Sequence, residues 1–250
     1  MISTLERAAN LITELVIANR ILANEDVVDA YGHVSVRNPE APGRFFLAHS
    51  KAPAFIEAGD ISEHTLDGQA YQPEQRPLYL ERFIHAAIYE ARPDVMAVVH
   101  AHAEDVLPFG ITQAKLRPVI HSGAFIGAEV PLWDIAERFG DRTNLLVTNM
   151  DQGRDLARTL AGHNVALMRG HGFAAAARSL IDVVRMSVYL PRNARVQYKA
   201  MQLGELKPLS TGEINARAAG AGYKPQSPET QRAWQYWAQR AGCADLLKQR

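Results

Sequence analysis

From Thr4 to Ala23, Leu5, Ala8, Ile12, Leu15, Val16, Ala18 and Ile21 recur at roughly helical spacing. Polar residues fill much of the remainder, so the segment is expected to form an amphipathic helix. Gly32-His33-Val34-Ser35-Val36-Arg37 then alternates as a strand does, until Asn38-Pro39 ends it. Arg44 to Ser50 reads as a second strand, paired with the first through a Pro-Gly turn. Ala52 to Pro77 is rich in Gly, Pro and acids and predicts loops, with a short hairpin around Asp67-Gly68.

Glu81 to Ala91 carries Phe83, Ile84, Ala87, Ile88 and Ala91 on one helical face, and Arg92-Pro93-Asp94 stops it. Val95 to Ala103 follows as a strand. Helices are expected at Pro131 to Arg138 and Asp151 to Leu160, a short buried strand at Val165 to Met168, and a long helix at Ser179 to Leu203 interrupted near Pro191. Beyond Pro208 the composition shifts towards Gly, Pro and Gln, and a Trp-containing helix closes the chain. The boundaries read as a catalytic core over residues 1–205 and a C-terminal helical extension over 206–250. Strands interleaved with helices make the core a layered α/β domain.

The 250 residues suffice to bury a core without disulfides or metal staples. Lys plus Arg and Asp plus Glu are 27 each, a formal net charge of zero, and no basic stripe stands out. A nucleic-acid partner is therefore not expected. Cys243 is the single cysteine, so neither an internal disulfide nor a CxxC metal knuckle can form. Charges at Glu6, Arg7, Glu14 and Arg20 break up any signal-peptide core, and no apolar run approaches a membrane span. The expectation is a soluble, cytoplasmic protein with no membrane partner.

The chemistry must then lie in the histidines. In Val98-Val99-His100-Ala101-His102 the two imidazoles fall on one face of a strand, and Ala97, Val99 and Ala101 on the other. Imidazoles at i and i+2 can chelate one ion, and they suit Zn, Mn, Fe or Co; they can also be plain half-exposed polar residues. Arg169-Gly170-His171-Gly172 follows directly on a strand, and its glycines allow the sharp turn that sets a third imidazole at a strand end. The same run satisfies G-x-G-x-x-A, but the next acid, Asp182, is too close to serve a dinucleotide ribose. Glu81 opens the helix before the HxH strand, either as a dipole complement or as a base or fourth ligand. His85, one turn on, shares its face and reads as structural. His33, Ser35 and Arg37 share one face of the early strand, which either grips a carboxylate or is solvated. Ser50-Lys51 adds a donor pair. Tyr79, Tyr189 and Tyr223 could line a site or simply pack, and packing is the simpler reading.

Taken in order, Gly32-His33-x-Ser35-x-Arg37, Glu81, His100-x-His102 and Arg169-Gly170-His171-Gly172 resemble the class II aldolase/adducin family over about residues 8–205. The resemblance implies a three-layer α/β/α fold with a central, largely antiparallel sheet, and a homotetramer with active sites near subunit contacts. It implies His100, His102 and His171 as ligands of a divalent metal and Glu81 as the acid/base group. Sugar-phosphate aldolases of the family have Gly-Asn-x-Ser where this chain has Gly32-His33-Val34-Ser35, and a phosphate-cradling Ser-Ser pair where it has Tyr79-Leu80. Leucine offers a phosphate no donor. Gly-His-Val-Ser-Val-Arg, Tyr-Leu-Glu-Arg-Phe-Ile-His and Lys51-Ala52-Pro53 instead resemble a branch that decarboxylates hydroxylated aromatic or muconate-type acids.

Retro-aldol cleavage and such decarboxylations both leave electrons on an enolate-like fragment, and both need a Lewis acid at oxygen and a proton at carbon. Glu81 or His33 would supply that proton. Arg37, Ser50 and Lys51 would bind a small-molecule carboxylate, and His121 would approach from a neighbouring subunit. The expected function is a metal-dependent decarboxylase. The alternatives are an aldolase or epimerase acting on a sugar or sugar phosphate, a non-catalytic adducin-like assembly module, and an iron oxygenase that uses two histidines and Glu81.

Overall fold

The computed structural model of the chain describes residues 4–219 and 227–248. Tyr223 lies outside the described residues. Helix α1 (Thr4–Asn24) forms where the apolar spacing places it. Three strands follow, β1 (His33–Arg37), β2 (Arg44–Ala48) and β3 (Ile61–Thr65), then α2 (Arg82–Ala91), β4 (Ala97–Ala101) and α3 (Leu107–Ile111). After these come β5 (Leu132–Trp133), α4 (Ile135–Phe139), α5 (Met150–Leu160), β6 (Val165–Met168), β7 (Gly172–Ala177) and α6 (Leu180–Leu203). Helices α7 (Thr211–Ala219), α8 (Pro228–Arg240) and α9 (Ala244–Leu247) complete the chain.

The strands form one sheet in the order β3-β2-β1-β4-β7-β6-β5, antiparallel throughout except for the parallel pair β5–β6. Alternation splits its side chains between two cores. Val34, Val36, Ala97, Val99 and Phe173 bury against α1, α6 and α8. Phe45, Leu47, Val98, Ala166 and Ala174 bury against α2 and α5. The result is the α/β/α sandwich with a largely antiparallel sheet that the motifs imply. Trp234 of α8 is fully buried in the same cluster as Leu15, Ile17 and Ile21 of α1.

Three local expectations are corrected. Strand β3 occupies a stretch expected to be loop: Ile61 to Thr65 pair in full register with Ala48 to Arg44. The Asp67-Gly68 hairpin follows it, with Gly68 at φ 80°. Leu132-Trp133 joins the sheet beside Leu167-Met168 and is lost to the expected helix, which starts only after the Asp134 cap. Helix α6 runs unbroken through Pro191. The proline removes one N–H from the ladder, but Leu190, Pro191 and Ala194 are buried, and Asn193 holds the Arg117 carbonyl and the Val119 N–H, so packing carries the helix across.

Candidate active site

His33 of β1 and His100 of β4 are directly opposed across the sheet, so their rings lie side by side, with centroids 5.2 Å apart. They face the α2 layer. The polar face of β1 is thus neither solvated nor open, and every residue of that strand is buried. Glu81 stands immediately before α2, and its Oε2 lies 3.3 Å from His100 Nε2 and 3.4 Å from His171 Nε2. His102 lies one residue beyond β4, and its Nε2 is 2.9 Å from His100 Nε2 and 3.1 Å from His171 Nε2.

A turn and a close approach bring His171 into this group. Gly170 turns the chain with φ 64°. At Gly172 a Cβ would stand 2.1 Å from the Ala101 carbonyl oxygen, so only glycine lets β7 start against the end of β4.

One ligand atom from each of Glu81, His100, His102 and His171 lies within 4.8 Å of the others. Supporting contacts orient two of them. His100 Nδ1 donates to the Phe173 carbonyl at 3.0 Å, which turns Nε2 towards the cluster, and the Val147 N–H donates to Glu81 Oε1 at 3.0 Å. Burial alone would raise the Glu81 carboxyl, but the facing His100 and His171 outweigh it and hold the group far below the ordinary carboxylate range. Burial, then His100 and His171, bring His102 down to about 4. Imidazole nitrogens crowded at hydrogen-bond distance beside an ionised carboxylate form a set that a divalent cation relieves. Their N and O character suits Zn, Mn, Fe or Co.

This cluster opens into a cleft of about 530 Å³ lined by Tyr31, His33, Ser50, Lys51, Tyr79, Leu80, His102, Leu146 and His171, among others. Ser50 and Lys51 are therefore brought to the cleft, where Lys51 Nζ is also paired with Asp60 at 2.6 Å. Tyr79 is a wall of the cleft rather than a remote packing residue. Its ring centroid is 4.6 Å from that of His33, its hydroxyl donates to the Lys51 carbonyl, and burial pushes the phenol up to about 12.

Arg37 is not brought to the cleft. It is buried, and its guanidinium donates to the carbonyls of Val95, Pro42, Tyr89 and Arg92 at 2.5 to 3.0 Å, which ties β1 to the end of α2. His121 lies elsewhere, lining a separate pocket with Asn164 and Arg185. Tyr31 and Leu146 were missed, since nothing in a loop residue's neighbours marks it as a wall. His85, read as structural, holds His33 from behind, with its Nε2 2.6 Å from His33 Nδ1.

Three imidazoles and a carboxylate thus converge at the end of a largely antiparallel sheet in an α/β/α sandwich, as a set that could hold a divalent metal ion. The chain belongs to the class II aldolase/adducin family, since the Class II Aldolase and Adducin N-terminal domain matches residues 13–198. Decarboxylase tropJ from Talaromyces stipitatus is 40% identical over 195 residues, 73% of this chain and 73% of that one. A 3,4-dihydroxyphthalate decarboxylase from Arthrobacter keyseri is 27% identical over 254 residues, covering 92% and 93% of the two chains. The crystal structure of an aldolase II superfamily protein from Pseudomonas syringae shares the fold, with a TM-score of 0.77 at 20% identity over 97% of this chain and 96% of that one. The relatives support the decarboxylase-like branch that the Gly-His-Val-Ser-Val-Arg and Tyr-Leu-Glu-Arg runs resemble.

Proposed function

We propose that the protein is a metal-dependent carbon–carbon lyase that decarboxylates a hydroxylated aromatic or ring-cleavage, muconate-type carboxylic acid. The observation that carries this reading is the Glu81, His100, His102 and His171 cluster at the end of a cleft walled by Tyr79 and Leu80. A divalent ion held by that cluster supplies a Lewis acid at a substrate oxygen. The walls give an aromatic or conjugated acid apolar surface, and Ser50 and Lys51 offer donors to its carboxylate. Glu81 enters as a base, with Oε2 at the cluster and Oε1 held by the Val147 N–H. A proton it accepts from a substrate hydroxyl is one it can return to the carbon that loses CO2. His33 is the other candidate for that last step. On this reading Arg37 has a structural role, and His121 takes part only if a second subunit brings it to the cleft.

The reading extends to a cytoplasmic homotetramer whose partner is the small-molecule acid, with residues 1–205 as the catalytic domain and 206–250 as a helical extension. The aldolase or epimerase alternative lacks a phosphate cradle at Tyr79 and Leu80, and the assembly-module alternative leaves the intact ligand set without a purpose.

The test is CO2 release by manganese-loaded protein from a panel of hydroxylated aromatic and muconate-type acids, run with and without oxygen. Release that needs no oxygen and is lost in His100→Ala and Glu81→Gln is the expected result. Cleavage of sugar phosphates to dihydroxyacetone phosphate or glycolaldehyde, with no CO2 from any acid, would transfer the protein to the aldolase reading.

A further inference from the structure

Behind His33 runs a row of hydrogen bonds whose protons can be counted. His33 Nδ1 lies 2.6 Å from His85 Nε2, His85 Nδ1 lies 2.6 Å from Ser35 Oγ, and Ser35 Oγ lies 2.8 Å from the Tyr89 hydroxyl. The row forms because β1 presents His33 and Ser35 on one face, while α2 presents His85 and Tyr89 one turn apart. Ser35 and His85 are fully buried and Tyr89 is 1% exposed, so none of the three can turn to water. The 2.6 Å between His33 Nδ1 and His85 Nε2 holds one proton, as does the 2.6 Å between His85 Nδ1 and Ser35 Oγ, and a second proton on either ring would be a buried charge, so each carries one N–H.

Four protons, one each from Tyr89, Ser35, His85 and His33, serve three links, and one is left over. If the protons point towards the cleft, Tyr89 donates to Ser35, Ser35 donates to His85 Nδ1, and His85 Nε2–H donates to His33 Nδ1. The spare proton then sits on His33 Nε2, at the wall of the cleft that His33 lines. If they point inward, the spare proton is that of the Tyr89 hydroxyl, packed against the Phe45 ring at 5.2 Å between centroids. In that case Ser35 donates to the phenol oxygen, and no second acceptor is found for the Tyr89 proton among the described residues. A stranded buried donor forfeits its full desolvation cost, whereas a donor facing a wet cleft does not.

We propose that Tyr89, Ser35 and His85 are positioning residues that hold His33 as a neutral Nε2–H donor aimed into the cleft, where it grips an oxygen of the substrate and keeps its proton. If Nε2 released that proton, His33 would become an imidazolate, or the row would shift by one place and leave a phenolate on buried Tyr89. Delivery of the proton to carbon therefore belongs to Glu81. The inference rests on the decarboxylase reading only for the identity of the gripped oxygen, a carboxylate or a phenol.

Neutron diffraction from crystals of the full, metal-loaded, perdeuterated chain reads the polarity directly. Deuterium on His33 Nε2 and none on Nδ1 is expected; deuterium on Nδ1 overturns the proposal whatever the reaction. Ser35→Ala removes the link that sets the direction, and there deuterium should divide between the two nitrogens. Kinetics separate a grip from a proton transfer, because a glutamine amide can donate a hydrogen bond at the place of Nε2 but cannot act as an acid. His33→Ala should lower kcat/KM by about 100-fold, while His33→Gln stays within about tenfold of the parent. A folded His33→Gln as inactive as His33→Ala would refute the grip. If no acid in the panel releases CO2, the decarboxylase reading falls, and the deuterium positions still decide this one.

Discussion

His64 shows how one buried side chain sets a pH limit on the whole protein. It is fully buried on β3 and stacks on Phe45 at 5.3 Å, with Nδ1 3.2 Å from the Ser62 carbonyl oxygen. Burial is the main cause that lowers its pKa from about 6.5 to about 4. The unfolded chain therefore binds a proton that the folded chain refuses, and the contribution is intact above about 6.5, declines as pH falls from there to about 4, and falls no further below. His64→Asn keeps a donor for the Ser62 carbonyl and removes the titration. Urea denaturation across that window should show a stability slope shallower by up to about 1.4 kcal/mol per pH unit, whatever the variant's baseline. An unchanged slope would mean that folded His64 already takes up the proton. At this scale the sequence was ambiguous where a face could point two ways. His33, Ser35 and Arg37 alternate as a polar face, yet α2 covers it, and Arg37 spends its donors on four backbone carbonyls.

Among the elements, the pairing of α2 with α5 matters most to the site, because α2 begins at Glu81. Gly153 makes the close contact possible: a Cβ there would stand 2.4 Å from the Phe83 carbonyl oxygen and 3.0 Å from the Ala87 methyl. Gly153→Ala should force the helices apart and cost about 1–3 kcal/mol in chemical denaturation. The displaced α2 should also weaken metal binding, read by isothermal titration. Equal stability and equal affinity would show that the contact relaxes freely. Helices α1, α2, α5 and α6 were legible because the signals that start, fill and stop a helix are local. Strand β3 was not, since Ile61, Ser62, Glu63 and Thr65 are only partly buried and pairing with β2 alone makes them a strand. Leu132-Trp133 was misread for the same reason, since its partner is β6.

Over the whole molecule, α8 closes the core that α1 and α6 begin, with Trp234 and Ala238 fully buried and Trp237 nearly so. Trp234→Ala should cost about 3–5 kcal/mol, read as a lower Tm and denaturation midpoint. A near-parental midpoint would show that α8 is dispensable packing. The cluster of Glu81, His100, His102 and His171 joins α2, β4 and the turn before β7, so an ion bound there would stabilise the folded state as a whole. Dialysis against a chelator should lower the Tm, and returning manganese or zinc at 100 times its Kd should restore about 2.7 kcal/mol. A Tm indifferent to the ion would count against the cluster as a metal site. Among the described residues no helix is long and apolar enough to cross a membrane. The sequence by itself determined the α/β class and the main helices, because periodicity is local. Its ordered motifs also marked Glu81, His100, His102 and His171 as one set, because only the order and spacing of residue types are needed to see them. The tertiary structure alone decided that β1 and β4 pair His33 with His100, that Gly172 lets His171 meet His102, that Tyr79 walls the cleft, and that Arg37, and His121 of the same chain, stand apart from it. Those outcomes depend on strand register and helix coverage, which arise between segments far apart in the chain.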